Sequence, residues 1–165
     1  MRHIIEDTRQ KADQHSIKHE GWAAAGVEVV RHELEVGDYC RPPLVSVDTK
    51  KDMTEFCGNL RTDHKRFRAE CERAQAMGTL LIVLVENTEG ITSLNDLSKW
   101  RESERDFRRR RGKSRYFGSQ IAKTCKTMTE RYGVWFDFCT PDEAAQRVID
   151  LIERGERWQQ ARTEK

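Results

Sequence analysis

A continuous apolar run from Leu80 to Val85 constrains the fold of this chain more than any other stretch. Its six residues have the length of a strand, and a strand that is apolar at every position has both of its faces covered. Amphipathic segments precede and follow the run, at 63–77 and 119–131. The run therefore predicts the central strand of an α/β sheet that carries helices on both faces.

The other elements are predicted from periodicity and from turn residues. Further strands are predicted at 4–5, 27–36, 44–48 and 134–138, and further helices at 12–25, 53–60 and 144–155. The prolines at 42 and 43 cannot donate ladder hydrogen bonds, so they are predicted to connect 27–36 and 44–48 as a hairpin-like pair. Strands alternate with helices after residue 50. This predicts a mixed sheet, antiparallel at first and then parallel.

Length and composition narrow the class of protein. The 165 residues match the size of one domain, and the longest apolar run is far too short to span a bilayer. We expect a soluble intracellular protein with no membrane association. The five cysteines lack paired or zinc-finger spacing, which predicts reduced thiols rather than disulfides or a zinc site. Lys and Arg outnumber Asp and Glu by only 30 to 28, so any basic surface is local.

Acids and a lysine are predicted to meet at one end of the sheet. Asp38 follows Gly37 at the end of one strand, and Asp48 and Lys50 lie at the end of the next. Residues two apart on a strand point to the same side, so Asp48 and Lys50 share a face. Asp7 ends the first strand and either reaches the same site or only caps a turn. Carboxylates bind hard divalent cations, so the pattern predicts metal-assisted phosphodiester hydrolysis.

Two basic regions and one loop arginine are predicted to accompany these acids. Four consecutive arginines cannot face a core, so their segment is predicted to be solvated and mobile, serving either solubility or, as we favour, phosphate binding. We expect the basic residues to line one groove with the acids. They are Arg9, Arg61, His64, Arg66, Arg108, Arg109, Arg110, Arg111, Lys113 and Arg115.

Four stretches together resemble the nuclease domain of the XPF/Hef/Mus structure-specific endonucleases, within the PD-(D/E)xK nuclease superfamily. They lie at 4–9, 36–39, 45–50 and 81–86, in the order of the family. The resemblance covers roughly residues 3–155. It implies a restriction-endonuclease-like core, a mixed sheet flanked by helices on both faces. We expect a nuclease domain over 1–155 and a fraying polar tail over 156–165.

The resemblance also implies roles for the acids and the lysine. Asp38 and Asp48 would hold Mg²⁺ or Mn²⁺, Lys50 would position or activate the attacking water, and Asp7 would be a supporting acid. Asp48 stands where the family has glutamate, which keeps the charge and shortens the reach.

Two further positions depart from the family pattern. Thr49 replaces an arginine and so removes one phosphate contact. Thr54 stands where the family has its last aspartate, and Asp52 and Glu55 are the neighbouring candidates for that role.

The implied function is cleavage of branched or junction DNA by a Mg²⁺-dependent endonuclease, such as a flap, fork or Holliday-junction enzyme of repair or recombination. A bacterial or phage origin is expected, as is a homodimer through 119–131 and 144–154. Two alternatives remain open. One is a catalytically inactive module on the same fold that binds DNA or a partner, motivated by the departures at 49 and 54. The other is a subunit that cleaves only with its partner.

Overall fold

The computed structural model describes residues 2–11, 16–42, 44–112 and 114–163. One mixed sheet has the strand order β2-β1-β3-β4-β5-β6. The strands are β1 (Arg2–Asp7), β2 (Val27–His32), β3 (Tyr39–Arg41), β4 (Val45–Lys50), β5 (Leu80–Glu86) and β6 (Trp135–Cys139). The helices are α1 (Ser16–Ala24), α2 (Met53–Arg61), α3 (His64–Ala76), α4 (Leu94–Lys99), α5 (Glu104–Arg109), α6 (Gly118–Tyr132) and α7 (Ala144–Thr163).

The predicted interior strand is confirmed, and its alternation creates two cores. Every residue of β5 is buried, and the strand runs parallel to both β4 and β6. Leu81, Val83 and Val85 pack into a core that includes residues of α2, α3 and α6. Residues of α1 and α7 share the core on the opposite face with Ile82 and Leu84. The α/β fold class with helices on both faces is therefore confirmed.

The predicted pairing of 27–36 with 44–48 is wrong. β2 ends at His32 and pairs in parallel with β1, because α1 joins the two strands as a crossover. The antiparallel partner of β4 is instead the short strand β3, with Tyr39 opposite Val47. β3 also pairs with β1, so it separates β2 from β4 in the sheet. The turn was predicted at the correct place, but the strand before it was not.

The prediction that the chain frays after residue 155 is also wrong. Gly155 does not end the last helix, because α7 continues to Thr163. A Cβ at residue 155 would lie 2.9 Å from a methyl group of Val45, so this glycine allows α7 to approach the sheet closely. Beyond it, the rings of Trp158 and Trp135 pack edge to face with centroids 5.0 Å apart. The proposed domain boundary at 155 stays a prediction.

Two further expectations concern cysteines and membranes. All five cysteines are buried, and none of them lies in a disulfide. In the part of the chain that the structure describes, no helix is both long and apolar enough to cross a membrane.

The packing of the last helix gives a stability prediction. Trp158→Ala is expected to lower the free energy of unfolding by about 1–3 kcal/mol, because it removes the contact with Trp135 and leaves a gap there. Arg157→Ala, at the exposed neighbouring position, is the control and is expected to change stability by less than about 0.5 kcal/mol. Chemical denaturation followed by circular dichroism measures both. Equal stability of the two variants would contradict the packing of 156–163.

Candidate active site

The ends of several strands form a cleft of about 540 Å³ at one edge of the sheet. β1, β4 and β5 run in the same direction and β3 runs opposite to them, so three strand ends and one strand start meet there. Helix α3 forms a further wall. The predicted site residues that line the cleft are Asp7, Arg9, Asp38, Asp48, Lys50 and Arg66.

Asp38 is held in one orientation by hydrogen bonds. Its backbone N–H donates to the carbonyl of Val47 over 2.9 Å, which fixes the turn before β3. Its Oδ2 accepts from the backbone N–H and the hydroxyl of Thr49, each over 2.7 Å. Its Oδ1 accepts from the Gln10 amide over 2.5 Å. Thr49, which stands where the resemblance places arginine, therefore orients the Asp38 carboxylate.

Asp48 and Lys50 form a buried ion pair. They are 5% and 6% exposed, and the Lys50 Nζ lies 2.9 Å from Oδ1 and 2.7 Å from Oδ2 of Asp48. Burial raises the pKa of the Asp48 carboxyl well above its usual range; Lys50 opposes this effect, and the charges of Asp38 and Glu70 add to it. Asp48 is thus buried, paired with Lys50 and close to the further negative charges of Asp38 and Glu70.

Asp7 lines the cleft and also fills the turn-capping role that the sequence left open. Its Oδ1 accepts from the backbone N–H of Arg9 over 3.2 Å and from that of Leu34 over 3.4 Å. Its Oδ2 accepts from the Arg9 Nε over 2.7 Å. The guanidinium of Arg9 also donates to the Leu34 carbonyl. This pair therefore joins the end of β1 to the loop after β2.

Glu70 is a cleft carboxylate that the sequence reasoning missed. Its Oε1 accepts from the backbone N–H of Gly37 over 3.0 Å and ties α3 to the turn that carries Asp38. A signal was present in the sequence: Glu70 falls three residues after Phe67 and four before Ala74, both buried. An acid on the apolar stripe of a helix is unusual enough to mark a site.

The structure separates the two candidates for the last acid. Asp52 is the N-cap of α2 and accepts from the backbone N–H of Glu55 over 2.8 Å. Glu55 lines the cleft, where it accepts from the backbone N–H of Lys51 over 3.0 Å. Glu55 is therefore the acid after Lys50 that faces the site.

A second buried ion pair borders the cleft and was also missed. Lys18 of α1 reaches the Glu86 carboxylate over 2.5 Å, at the end of β5. Both residues are less than a tenth exposed. Ile17 of α1 is 65% exposed although it is apolar, whereas Lys18 is buried with Trp22, four residues along. Because Lys18 lies four residues before Trp22, both fall on one face of α1, and this spacing was the signal available in the sequence.

The predicted single groove for all the basic residues is wrong. Arg66 lines the cleft, while Arg61 and His64 line a different groove between the α2–α3 corner and α6. The two grooves share no lining residue. The side chains of α3 point to both sides of the helix, and the sequence alone does not say which side reaches the acids.

The predicted solvation of the arginine run at 108–115 is confirmed for Arg108, Arg109 and Arg111, which are exposed, but is wrong for Arg110. Ion pairs hold Arg108 and Arg115 to Glu104, and Arg109 to Asp106. Arg111 is exposed, Lys113 lies outside the described residues, and the cleft lining does not include the arginines of this run.

Arg110 is a structural residue within that run. It pairs with the buried Glu102 over 2.5 and 2.8 Å, and its guanidinium stacks 3.9 Å from the centre of the Tyr116 ring. These contacts hold the segment 102–116 in place.

The carboxylates of the cleft offer the oxygen ligands that Mg²⁺ and Mn²⁺ prefer. Within the described ranges, no three His, Cys, Asp or Glu side chains are grouped as a ready metal site. One observation nevertheless fits a cation: Asp48 Oδ2 is buried and accepts no well-directed hydrogen bond, although Lys50 lies nearby. The donor chemistry of Asp48 and Asp38 therefore suits a hard divalent cation.

The protein is an α/β protein with one mixed sheet, helices on both faces and an acid–lysine pair at the sheet edge. No family model and no curated protein sequence matches the chain. XPF from Aeropyrum pernix superposes with a TM-score of 0.62 at 18% identity, over 91% of this chain and 64% of that one. XPF from Aeropyrum pernix in complex with DNA superposes with a TM-score of 0.64 at 17% identity, over 95% of this chain and 66% of that one.

The particular fold is therefore that of XPF-type nucleases, as the resemblance implied. The chain spans just under two thirds of the length of these two solved structures.

The turn that positions Asp38 gives a second stability prediction. Gly37 and Gly26 both have positive φ, 72° and 66°. A Cβ at residue 37 would overlap the Ser46 hydroxyl, whereas nothing lies within 4 Å of one at residue 26. Gly26→Ala should cost about 1–2 kcal/mol through its backbone conformation alone, and Gly37→Ala about 1–3 kcal/mol more through overlap. Thermal unfolding compares them, and equal losses would exclude steric crowding at Gly37.

The contacts of Arg110 give a third stability prediction. Arg110→Ala should destabilise the protein by about 3–5 kcal/mol, because it leaves the buried Glu102 carboxylate without its cation. Arg108→Ala removes only an exposed helix pair with Glu104 and should cost less than about 0.5 kcal/mol. Urea denaturation measures both. An Arg110→Ala protein as stable as the wild type would contradict this structural role and would favour the solvated role predicted from the sequence.

Proposed function

We propose that this protein is a metal-dependent endonuclease that hydrolyses phosphodiester bonds in branched or junction DNA, in repair or recombination inside the cell. The observation that carries the proposal is the buried Asp48–Lys50 pair beside Asp38 in an open cleft. A buried ion pair contributes little net stability, so its presence at a cleft favours a chemical role. The XPF-type fold adds support, because a solved structure of that fold is a complex with DNA.

Asp38 and Asp48 are the residues that would hold Mg²⁺ or Mn²⁺, with Glu70 and Glu55 as flanking acids in the same cleft. When bound, the cation supplies Lewis-acid polarisation of the phosphate and stabilises the charge that develops on it. Asp38 needs no reorientation for this role, because Thr49 and Gln10 already fix its carboxylate.

In this proposal Lys50 assists the chemical step, and the cleft arginines bind phosphates of the DNA. The Lys50 ammonium, held by Asp48, donates a hydrogen bond to the attacking water or to a phosphate oxygen as charge builds. Arg66 and Arg73 line the cleft from α3 and contact the backbone phosphates on either side of the cut. Asp7 is occupied by Arg9, so its part is to shape the wall of the site.

A second candidate function is a DNA-binding module without catalysis, which two specific observations favour. The Asp38 carboxylate already accepts three hydrogen bonds, and Thr49 and Thr54 stand where the resemblance places an arginine and an aspartate. Binding to branched DNA with no cleavage under Mg²⁺ or Mn²⁺ would support this candidate. Cleavage that begins only when a partner protein is added would support a partner-dependent nuclease.

A homodimer through α6 and α7 remains part of the proposal on the resemblance alone. The exposed positions of α7 include Gln146, Asp150 and Arg154, and those of α6 include Lys126 and Glu130. Such polar surfaces suit a weak, wet interface better than an obligate one. Sedimentation velocity across a concentration series measures the association.

The proposed chemistry predicts the effect of changing one acid. Asp48→Asn keeps the shape of the side chain and removes its charge, so cleavage of flap, fork and four-way-junction DNA in Mg²⁺ should fall by about 100-fold or more. Asp142→Asn, an exposed acid away from the cleft, should cleave as the wild type does. A labelled-strand cleavage assay gives the rates. An Asp48→Asn protein that cuts at the wild-type rate would rule out Asp48 as an acid that holds the metal.

A further inference from the structure

A second groove, which we call the basic groove, lies between the α2–α3 corner and the outer face of α6. It has a volume of about 350 Å³. Its cations are Arg61, Arg68, Lys123 and Arg131, and no carboxylate is among its described lining residues. The active-site cleft differs in this respect, because acids and cations line it together. The basic groove is therefore suited to an anionic ligand that needs no metal.

The cations of the basic groove are largely available to such a ligand. Arg68 pairs with Glu72 over 2.9 Å, but this is an exposed pair on the surface of α3 and contributes little. No ion pair involves Arg61, Lys123 or Arg131 in the ranges that the structure describes. Thr127 is an exposed residue beside them, and its hydroxyl donates to the Lys123 carbonyl over 3.2 Å. Arginine, lysine and hydroxyl groups are the side chains that contact nucleic-acid phosphates.

Helix α3 is a ridge between the two grooves. Arg66, Glu70 and Arg73 follow the spacing i, i+4, i+7 and line the active-site cleft. His64 and Arg68, also four apart, line the basic groove on the other side. One helix therefore presents cations in two directions.

We propose that the basic groove binds the phosphate backbone of a second duplex arm, while the first arm lies in the active-site cleft. This rests on the proposed function, and it adds the source of a preference for branched DNA. A branched molecule carries two duplexes that diverge from one point, so both grooves are filled by one ligand. The second contact is then intramolecular and strengthens binding by effective concentration, whereas a linear duplex gains no such increase.

Fluorescence anisotropy in EDTA tests the proposal, with a labelled four-way junction and a linear duplex of matched length as probes. The wild type is expected to prefer the junction. Arg61→Ala/Lys123→Ala should bind the junction about tenfold more weakly and lower its salt slope by about 2, because two phosphate contacts are lost. The linear duplex should be affected much less, so the ratio of the two dissociation constants falls towards one.

The matched control is Arg105→Ala/Arg157→Ala, which removes the same charge from exposed positions outside both grooves. It should keep the wild-type preference. Thr127→Glu is the second test variant, because it places a carboxylate in the groove at an exposed helix position and needs no cation to be removed. Thr127→Glu should also bind the junction more weakly than the wild type does. Circular dichroism verifies that each variant is folded.

The outcomes separate this proposal from the nuclease function on which it rests. If both groove variants keep the wild-type junction preference, the second-arm site is overturned while the endonuclease proposal stands. A wild type that binds neither DNA overturns both. A dimer that Arg61→Ala/Lys123→Ala dissociates would make the basic groove an interface between copies and would also overturn the second-arm site. Asp48→Asn, by contrast, should retain junction binding and lose only cleavage.

Discussion

The burial of β4 along its whole length is the constraint on which the site depends. All six residues from Val45 to Lys50 are buried, although the strand ends in Asp-Thr-Lys. Val45 and Val47 belong to the core shared with α1 and α7, so alternation turns Asp48 and Lys50 towards the other face. Burying a charge is costly unless it is paired, and Asp48 and Lys50 pair with each other. The strand thus presents a neutralised acid–lysine pair at its end, open only towards the cleft.

The rest of the site is joined to this strand by hydrogen bonds between distant segments. Asp38 contacts both residues that flank Asp48, through the carbonyl of Val47 and the backbone N–H of Thr49. Glu70 then ties α3 to the same turn through Gly37. Each link satisfies a backbone or carboxylate group that would otherwise be unpaired, and each also fixes a cleft residue. Stability and site geometry therefore depend on the same bonds.

The sequence predicted what depends on local pattern. The buried strand at 80–85, the acid–lysine spacing and the Gly37-Asp38 turn are all readable from two-residue alternation and turn chemistry. The position of β2 was not, because it depends on α1 crossing back to β1 and on β3 occupying the place beside β4. Arg110 was misjudged for a similar reason. A run of arginines indicates exposure, and only the folded chain brings Glu102 and the Tyr116 ring around one of them.

The pairing of the arginine run changes where a polyanion is expected to lie. Arg110 is held by the buried Glu102 and is not free for phosphate, whereas the pairs of Arg108 and Arg109 with Glu104 and Asp106 leave both arginines exposed. Further cations lie beside α3, on both of its sides. Only one of these sides also contains the acids. In the proposed function, a duplex is therefore attracted to both sides of this ridge, and hydrolysis takes place only on the side that carries the acids.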